Sequence, residues 1–569
     1  MRSSIYGLVF CAAAGLVLAA PPASAQGAPH AGPPLSQAAL HSMLGKIRGV
    51  SPELKELRGD LLASGESQAV ASPQVINGDY NSRPQDEPSI GILKGTGGES
   101  VRWVVGANDY AIGGPIGGGL YNSEGVTYFA PFPLLFAADI GVSEPPGGTG
   151  DPSIASGSTR ATATIPAGTI VTYAASLAFS DSFCENGVQV ARSFDNGRSW
   201  NRTRVPDFGA LGFATYWNQG FDCSVFNDKE WIAVDNTGGT HDGRVYVTWS
   251  GFLFDSTGAV YHESPILLAY SDDNATTFST PIVISGSSSG FCTNHSNATS
   301  PATACNEDQF STPVVLPNGD LAISFLNSNG AGFADGRDQM LVTVFSPASG
   351  TIRGPYQVAP LVYDGFFDFP LTNDGTRQTF CNSNFRDGTN GSLAVDGAGT
   401  LYFAYFDDKK HAGEFVSAGK QIRVGDRSTG YACPAGKVTD ADIYVLRSRD
   451  GGLTWTDFTP ASGHANHDQF WPWVAANGNR VAVVFNDRSG DPNNKLIDTN
   501  LAQRSEEGWQ TRRISAFSSN FDNAFFGTGA FAGDYINAAI DSGGGVHAVW
   551  TCVVPGKQDS DICMNNRRD

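Results

Sequence analysis

Charge is the first thing this sequence is short of. Only 16% of its 569 residues are Asp, Glu, Lys or Arg, against about 25% in ordinary soluble domains. Basic side chains are the scarcer kind: 36 Lys and Arg face 56 Asp and Glu, a formal charge of −20. A phosphate backbone would be repelled, so nucleic acid is excluded as a partner. Long apolar runs are missing too, except over residues 5–20. Nothing else approaches the roughly 18 uninterrupted apolar residues that a membrane span requires. No C-x-x-C pair occurs, which argues against a structural zinc site. An H-E-x-x-H helix and a phosphate-cradling glycine loop are also absent.

What is plentiful is glycine (68) and phenylalanine (35), within a hydrophobic content of 41%. Many tight turns and aromatic packing are expected, as in an extracellular all-β protein. Met1 and Arg2, the apolar stretch 5–20, Pro21, Pro22 and the small residues Ala23, Ser24 and Ala25 read as a secretory signal over 1–25, cleaved before Gln26. Cys11 leaves with it. Cys184, Cys223, Cys292, Cys305, Cys381, Cys433, Cys552 and Cys563 remain, an even number that favours disulfides between neighbours in order. N-x-[ST] triplets begin at Asn201, Asn274, Asn294, Asn297 and Asn390. Residues 26–72 form a Pro-rich leader with two helix-like stretches, 35–47 and 52–63, the second capped by Ser51 with Pro52 in its first turn. The main domain is expected over 73–569.

That domain repeats one pattern: an acidic or polar residue, a Pro or aromatic, a short apolar strand, a Gly turn and a second apolar strand. Copies fall at 86–107, 151–175, 228–249, 308–325, 391–406, 468–485 and 534–550. Ile90, Ile154, Ile232, Val314, Ala394, Val474 and Ala538 are aligned as equivalents. Repetition of a β unit this size argues for a radial array. The fold expected is all-β, a seven-bladed β-propeller, with six blades as the alternative and the partly helical leader outside it. An N-terminal strand near 74–80 is expected to close the ring on 561–565.

A second signature keeps step with the first. Ser193–Trp200 and Ser448–Trp455 both read S-x-D-x-G-x-[ST]-W, and Ser271–Phe278 has Ala275 in place of the glycine. Segments 121–128, near Gly350 and near Gly508 are decayed copies. Asp195 and Asp450 can accept turn N–H groups, Gly197 and Gly452 can take positive φ, and Trp200 and Trp455 can cover the hairpin. These motifs resemble the Asp-box, or bacterial-neuraminidase repeat, of sialidase-like β-propellers. The resemblance covers residues 75–569 and speaks for the fold, because each part of the box is spent on its own turn.

In a four-stranded antiparallel blade, the loop entering the inner strand and the loop joining strands two and three share one face. The long segments fall there: 208–226 with Phe213, Tyr216, Trp217 and Phe221, 364–387 with Arg377 and Arg386, 407–439, and 517–535 with Phe526. Long loops gathered at one end of a scaffold carry function. Asp86, Glu87, Asp151, Asp228, Glu230, Asp308, Asp468 and Asp534 stand at inner-strand entrances on this face. Crowded carboxylates repel, so some should have raised pKa values or share a cation such as calcium, the one cofactor left open. His464 and His467 in GHANHDQF read as loop polar groups without a third metal ligand.

The sialidase resemblance implies an arginine triad, a tyrosine nucleophile activated by a glutamate, and an aspartate acid/base. Tyr535 stands where the tyrosine belongs and Glu230 where its partner would be. Asp86 stands where the first arginine belongs, and would repel a sialate carboxylate; Arg83, Arg386 and Arg488 could still supply positive charge. The expected function is a secreted, monomeric glycoside hydrolase acting on extracellular glycans. Two acids from Asp86, Asp151, Asp228, Glu230, Asp468 and Asp534 would act, with Tyr535 as nucleophile. Tyr216, Trp217, Arg386, Trp471, Arg488 and Phe526 would bind substrate. A non-catalytic glycan- or protein-binding propeller is the alternative, and a polysaccharide lyase is third.

Overall fold

A computed structural model describes residues 75–76, 84–93, 101–109, 117–122, 127–128, 146–180, 186–206, 224–254, 261–293, 300–328, 338–362, 379–388, 390–411, 416–417, 420–421, 438–458, 461–463, 466–526 and 529–565. The signal segment, the leader, Cys184, Cys223, Cys433, His464, Arg83, Arg377, Phe213, Tyr216, Trp217, Phe221, Asn294 and Asn297 lie outside them. Among the described residues the regular elements are all strands, apart from two three-residue 3₁₀ turns. Among the described residues no helix is long and apolar enough to cross a membrane.

The strands form seven antiparallel sheets and two small ribbons. The first sheet holds Gln85–Leu93, Arg102–Asp109, Gly117–Asn122 and Thr127–Tyr128, and the second Pro146–Ser158, Ile170–Ser180, Asn186–Ser193 and Asn201–Arg204. The third holds Val225–Val234, Val245–Phe254, Ile266–Ser271 and Ile282–Val283, with Tyr261–Glu263 as an added piece. In the fourth are Asp308–Val315, Leu321–Asn327, Asp338–Ser346 and Thr351–Val362, and in the fifth Gly391–Val395, Leu401–Asp407, Asp442–Ser448 and Thr456–Phe458. The sixth is Gln469–Asn477, Arg480–Asp487, Asp498–Ser505 and Gly508–Arg513; the seventh is Asn537–Ile540, Val546–Cys552 and Asp561–Asn565.

The first strand of each sheet touches the first strand of the next, and that of the seventh touches that of the first. The architecture is therefore a propeller-like ring. Second strands are pressed between neighbouring sheets, which explains their nearly unbroken apolar sequences: Val245–Phe254, Leu321–Asn327 and Leu401–Asp407 are buried at every position. Outer strands are wetter, and Gly508–Arg513 is partly exposed throughout. The ring closes as expected at Val75, which bridges Cys563, while the Ile76 N–H donates to the Ile562 carbonyl at 2.9 Å. Cys552–Cys563 staples this last sheet and Cys292–Cys305 a loop before the fourth, both joining neighbours in order.

Neighbouring first strands are also stitched by side chains. Ser89 Oγ accepts the Ile154 N–H (2.9 Å), Ser392 Oγ the Val474 N–H (2.8 Å) and Asn537 Oδ1 the Ile90 N–H (3.2 Å). These bonds correct the repeat alignment by one residue in the fifth sheet, where Leu393 rather than Ala394 follows the stitching position. In the fourth, the bulge between Gln309 and Thr312 puts Pro313 in place of Val314. At the first seam Gly91 leaves no room for a side chain, since a Cβ would meet Ile154 Cγ2 at 2.6 Å.

Three turns between third and fourth strands share one bonding scheme. In 448–455 the Ser448 hydroxyl donates to Asp450 (2.7 Å) and accepts the Gly452 N–H (2.9 Å). Asp450 accepts the Thr454 N–H and hydroxyl, and Trp455 Nε1 donates to the Gly452 carbonyl. Ser193, Asp195, Gly197, Ser199 and Trp200 repeat this set, and Ser271, Asp273 and Thr277 most of it, with Ala275 at φ 57° where the others have glycine. Of the N-x-[ST] asparagines, Asn274 and Asn390 are buried, their amides donating to the Arg160 and Asp534 carbonyls.

Ser448 is buried, so truncating it leaves an N–H and a carboxylate oxygen short of a partner. Ser448→Ala should lower stability by about 1–3 kcal/mol in urea unfolding; a loss near zero would contradict the role assigned to this turn.

Candidate functional site

Where the first strands begin, the ladder is interrupted in the same way sheet after sheet. Register shifts occur after Asp86, Gly150, Asp228, Gln309 and Phe470. The residue that follows each has positive φ: Glu87 (53°), Asp151 (53°), Lys229 (52°), Phe310 (58°) and Trp471 (48°). Bulges re-aim side chains, and left-handed conformations of non-glycine residues persist only where the surroundings hold them. Counting back two positions from the stitching residues Ser392 and Asn537 puts Asn390 and Tyr535 in the same column. Six sheets thus bring the residue of this column to the ring's axis, Glu87, Asp151, Lys229, Phe310, Asn390 and Tyr535; in the sixth sheet the equivalent Trp471 turns into the aromatic core instead.

Four carboxylates of the expected set meet there. Lys229 Nζ lies 3.0 Å from Glu87 Oε1, 3.3 Å from Asp151 Oδ2 and 2.9 Å from Asp534 Oδ2, every group almost fully buried. Asn108 Nδ2 donates to Asp86 (3.2 Å), Glu87 (2.8 Å) and Asp151 (3.3 Å), and its Oδ1 accepts the Asp151 N–H. Arg386, expected to bind substrate, instead clasps Asp534 with Nε (2.8 Å) and a second, shorter contact from Nη2. Asp228 accepts from Gln309 Nε2 at 3.0 Å.

Electrostatics follow from burial. Loss of water raises Asp86, Glu87 and Glu230 well above the ordinary carboxylate range, and Asp151 adds like-charge repulsion to each. Asp534 would also be raised by burial, but Arg386 and Lys229 outweigh it and pull it down to about 2. Burial works against charge on Lys229 too, and the carboxylates of Asp151, Asp534 and Glu87 overcome that and raise it. Tyr535 is pushed well above 10 by burial and then by Glu87, Asp151 and Glu230.

Beside the cluster opens a narrow recess lined by Asp151, Lys229, Glu230, Trp231, Trp473 and Tyr535. Its free volume of about 20 Å³ holds one water. Both Glu230 oxygens and the Tyr535 hydroxyl are buried without a hydrogen-bond partner, so the two are near neighbours in the recess but not bonded to each other. Trp231 and Trp473 lie with ring centroids 4.7 Å apart, and Trp231 meets Tyr535 edge-on at 5.3 Å. Lys229 sits 5.1 Å from the Tyr535 ring and 5.5 Å from Phe310.

Other expected site residues are elsewhere. Asp468 accepts from Thr439, Asn494, the Ala441 N–H and Arg488, in a separate network. Arg488 is sandwiched among Phe380, Phe385 and Phe470 at 5.2–5.7 Å and donates to Ser383. Trp471 is 1% exposed, stacked on Phe521 and edge-on to Phe385 and Phe470. Neither residue presents a surface to a sugar. Phe526 falls in the short strand Phe525–Phe526. Asp308 accepts from Asn327 Nδ2 at 2.7 Å. The residues missed from sequence are Lys229, Trp231, Trp473 and Asn390; aligning Lys229 under Glu87 and Asp151 would have drawn attention to it. For the calcium left open, the described residues contain no group of three ligands suited to a metal, and the ammonium of Lys229 occupies the centre of the carboxylates.

Burial raises the Glu230 carboxyl well above its ordinary range in the folded state, whereas in the unfolded chain it ionises above about pH 4.5. Folding therefore takes up a proton, and stability falls as pH rises from about 4.5 towards the folded value. Glu230→Gln should flatten this alkaline loss when unfolding is followed at pH 5 and pH 8. An unchanged pH slope would show that Glu230 is ionised in the native protein.

No protein-family model matches the chain, and no curated protein does. Among solved structures, a protein of unknown function from Dyadobacter fermentans is similar at 11% identity, with 86% of this chain and 96% of that one covered and a TM-score of 0.40. An α-L-arabinofuranosidase of Fusarium graminearum is similar at 9% identity (69% and 88% covered, TM-score 0.36). A Trypanosoma rangeli sialidase is similar at 12% (69% and 52% covered, TM-score 0.35). These likenesses are faint, and the functional reading rests on the geometry of the recess.

Proposed function

We propose that the protein is an extracellular seven-bladed propeller with Asp-box turns that acts on glycans as a glycoside hydrolase, with its site in the axial recess. One observation carries this reading. Glu230 and Tyr535 hold three buried, unpartnered polar oxygens in a recess walled by the Trp231–Trp473 pair. Stranded polar groups are costly in an interior and are retained where a ligand satisfies them. Aromatic faces beside them suit the apolar face of a sugar ring.

In this reading Glu230, neutral because it is buried, hands its proton to the departing glycosidic oxygen. Asp151, ion-paired to Lys229, is the carboxylate that takes a proton from the water whose oxygen bonds the anomeric carbon as the leaving oxygen departs. The high pKa of Tyr535 makes it a hydrogen-bond donor to bound sugar in this state, not a phenolate nucleophile. Both cations of the cluster are already engaged by Asp534, so a neutral sugar fits better than a sialate or uronate. Two disulfides joining sequence neighbours agree with an oxidising, exported setting. A binding propeller that holds its ligand outside the axial recess is the second reading, favoured by a recess that holds only one water as it stands.

A screen of chromogenic neutral glycosides and polysaccharides separates the two. Hydrolysis should appear and fall by about 10²–10⁴-fold with Glu230→Gln, with Tyr535→Phe weakened to a lesser degree. Ligand retention without turnover would favour the binder, and turnover insensitive to Glu230→Gln would overturn the assignment of the acid.

A further inference from the structure

The Asp468 and Arg488 network and His467 have no part in the axial recess, yet they frame a second, larger opening. A cleft of about 730 Å³ is bordered by Asn382, Asp440, Asn466, His467, Asn493 and Lys495. Its borders come from the segment before Gly391–Val395, the end of the connection leading into Asp442–Ser448, the segment before Gln469–Asn477 and the connection between Arg480–Asp487 and Asp498–Ser505. Antiparallel connectivity puts all four at the end of the sheets where the first strands begin. The cleft therefore shares a face with the axial recess and lies between the fifth and sixth sheets.

Its floor is rigid. Thr439 and Asn494, which also line the cleft, both donate to Asp468 Oδ2, at 3.0 and 2.8 Å, and Asp468 is held by Arg488. Cys381 at its border is in a disulfide. A pre-formed wall loses little entropy when a ligand arrives.

Val438 and Pro492 give it some apolar surface, and its polar lining has no spare charge. Lys495 is paired with Asp522 (2.9 Å), and Asp440 Oδ2 with Lys410 (2.8 Å). Two shielded atoms of unlike kind stay unsatisfied, Asp440 Oδ1 and His467 Nδ1. His467 is held at φ 76°, backbone that costs energy for a residue other than glycine, asparagine or aspartate and is found where function holds it. The described residues offer no third ligand to make a metal site of Asp440 and His467. What fits an acceptor oxygen, a ring nitrogen and a set of side-chain amides, with no free charge, is a row of hydroxyl groups that both donate and accept.

We propose that this cleft is a second carbohydrate-binding site for a neutral oligosaccharide, separate from the axial recess. Asp440 and His467 supply the anchoring bonds, and Asp468 and Arg488 act as positioning residues beneath it. The site stands on its own geometry and does not depend on the recess being catalytic.

The test is a titration of the full-length, histidine-labelled protein with cellotetraose, xylotetraose and mannotetraose at millimolar concentration, following the His467 imidazole resonance by NMR. Assignment comes from His467→Asn, a residue that tolerates positive φ. At least one tetraose should shift this resonance saturably in the wild type and in Trp231→Ala, which disturbs only the recess. Asp440→Ala should weaken that binding at least tenfold while its near-ultraviolet circular dichroism remains native. Three results would overturn the proposal: no shift with any tetraose, a shift abolished by Trp231→Ala, or a larger response to N-acetyl-tetraalanine amide than to the sugars.

Discussion

One ammonium group holds the middle of this protein together. Lys229 Nζ, supplied by the third sheet, is shared by Glu87 of the first, Asp151 of the second and Asp534, which precedes the first strand of the seventh. Four segments distant in sequence are tied at a single buried point. Removing one partner from such an arrangement leaves uncompensated charge in an interior, which is far more costly than the assembled set is stabilising. The same geometry explains the bulges. Only by turning the residue after the register shift into the left-handed region can Glu87, Asp151 and Lys229 all reach the axis.

The tie has a chemical side effect. Its cations hold Asp534 ionised, while Asp86, Glu87 and Glu230, deprived of water, are driven towards the neutral form. Two kinds of carboxyl thus coexist within one cluster, an anion fixed by cations and acids that keep their protons. That division is what acid-assisted bond cleavage requires near neutral pH. It is gained at the expense of stability, since Glu230 brings no hydrogen bond to the fold in return for its burial. Along the rim the logic differs: Asp468 spends its whole carboxylate on neighbouring loops, and what it shapes is a cleft and not a proton donor.

Much of the fold was legible because repetition and turn chemistry are local. The serine, aspartate and glycine of 193–200 and 448–455 declare their turn, and Val75 and Ile76 meet the last sheet as expected. The convergence of Asp86, Asp151, Glu230 and Asp534 was visible as acids recurring at strand entrances. Asp468 misled because it stands three residues before its bulge residue Trp471, whereas Asp86 and Asp228 stand one before theirs. A period-two reading cannot see an inserted residue, so the alignment slipped at Pro313, beyond the bulge of the fourth sheet; at Leu393 it slipped without any register shift. Lys229 and the Trp231–Trp473 pair carried no motif at all; their meaning arises only when strands far apart in sequence are brought to one axis. The expectation that Trp471 and Arg488 face a ligand failed for a similar reason, since the segments that bury them carry Phe380, Phe385 and Phe521, and nothing local announces that contact.

The ionisation of Glu230 tests the account most directly, because its burial, its missing hydrogen bonds and its assigned chemistry all meet there. Carboxyl-labelled protein, titrated by ¹³C NMR with Glu230→Gln to assign the resonance, should show this group still protonated well above the ordinary value near 4.5. A resonance that titrates at that ordinary value would mean that water or a cation reaches Glu230, and the axial recess would lose its acid.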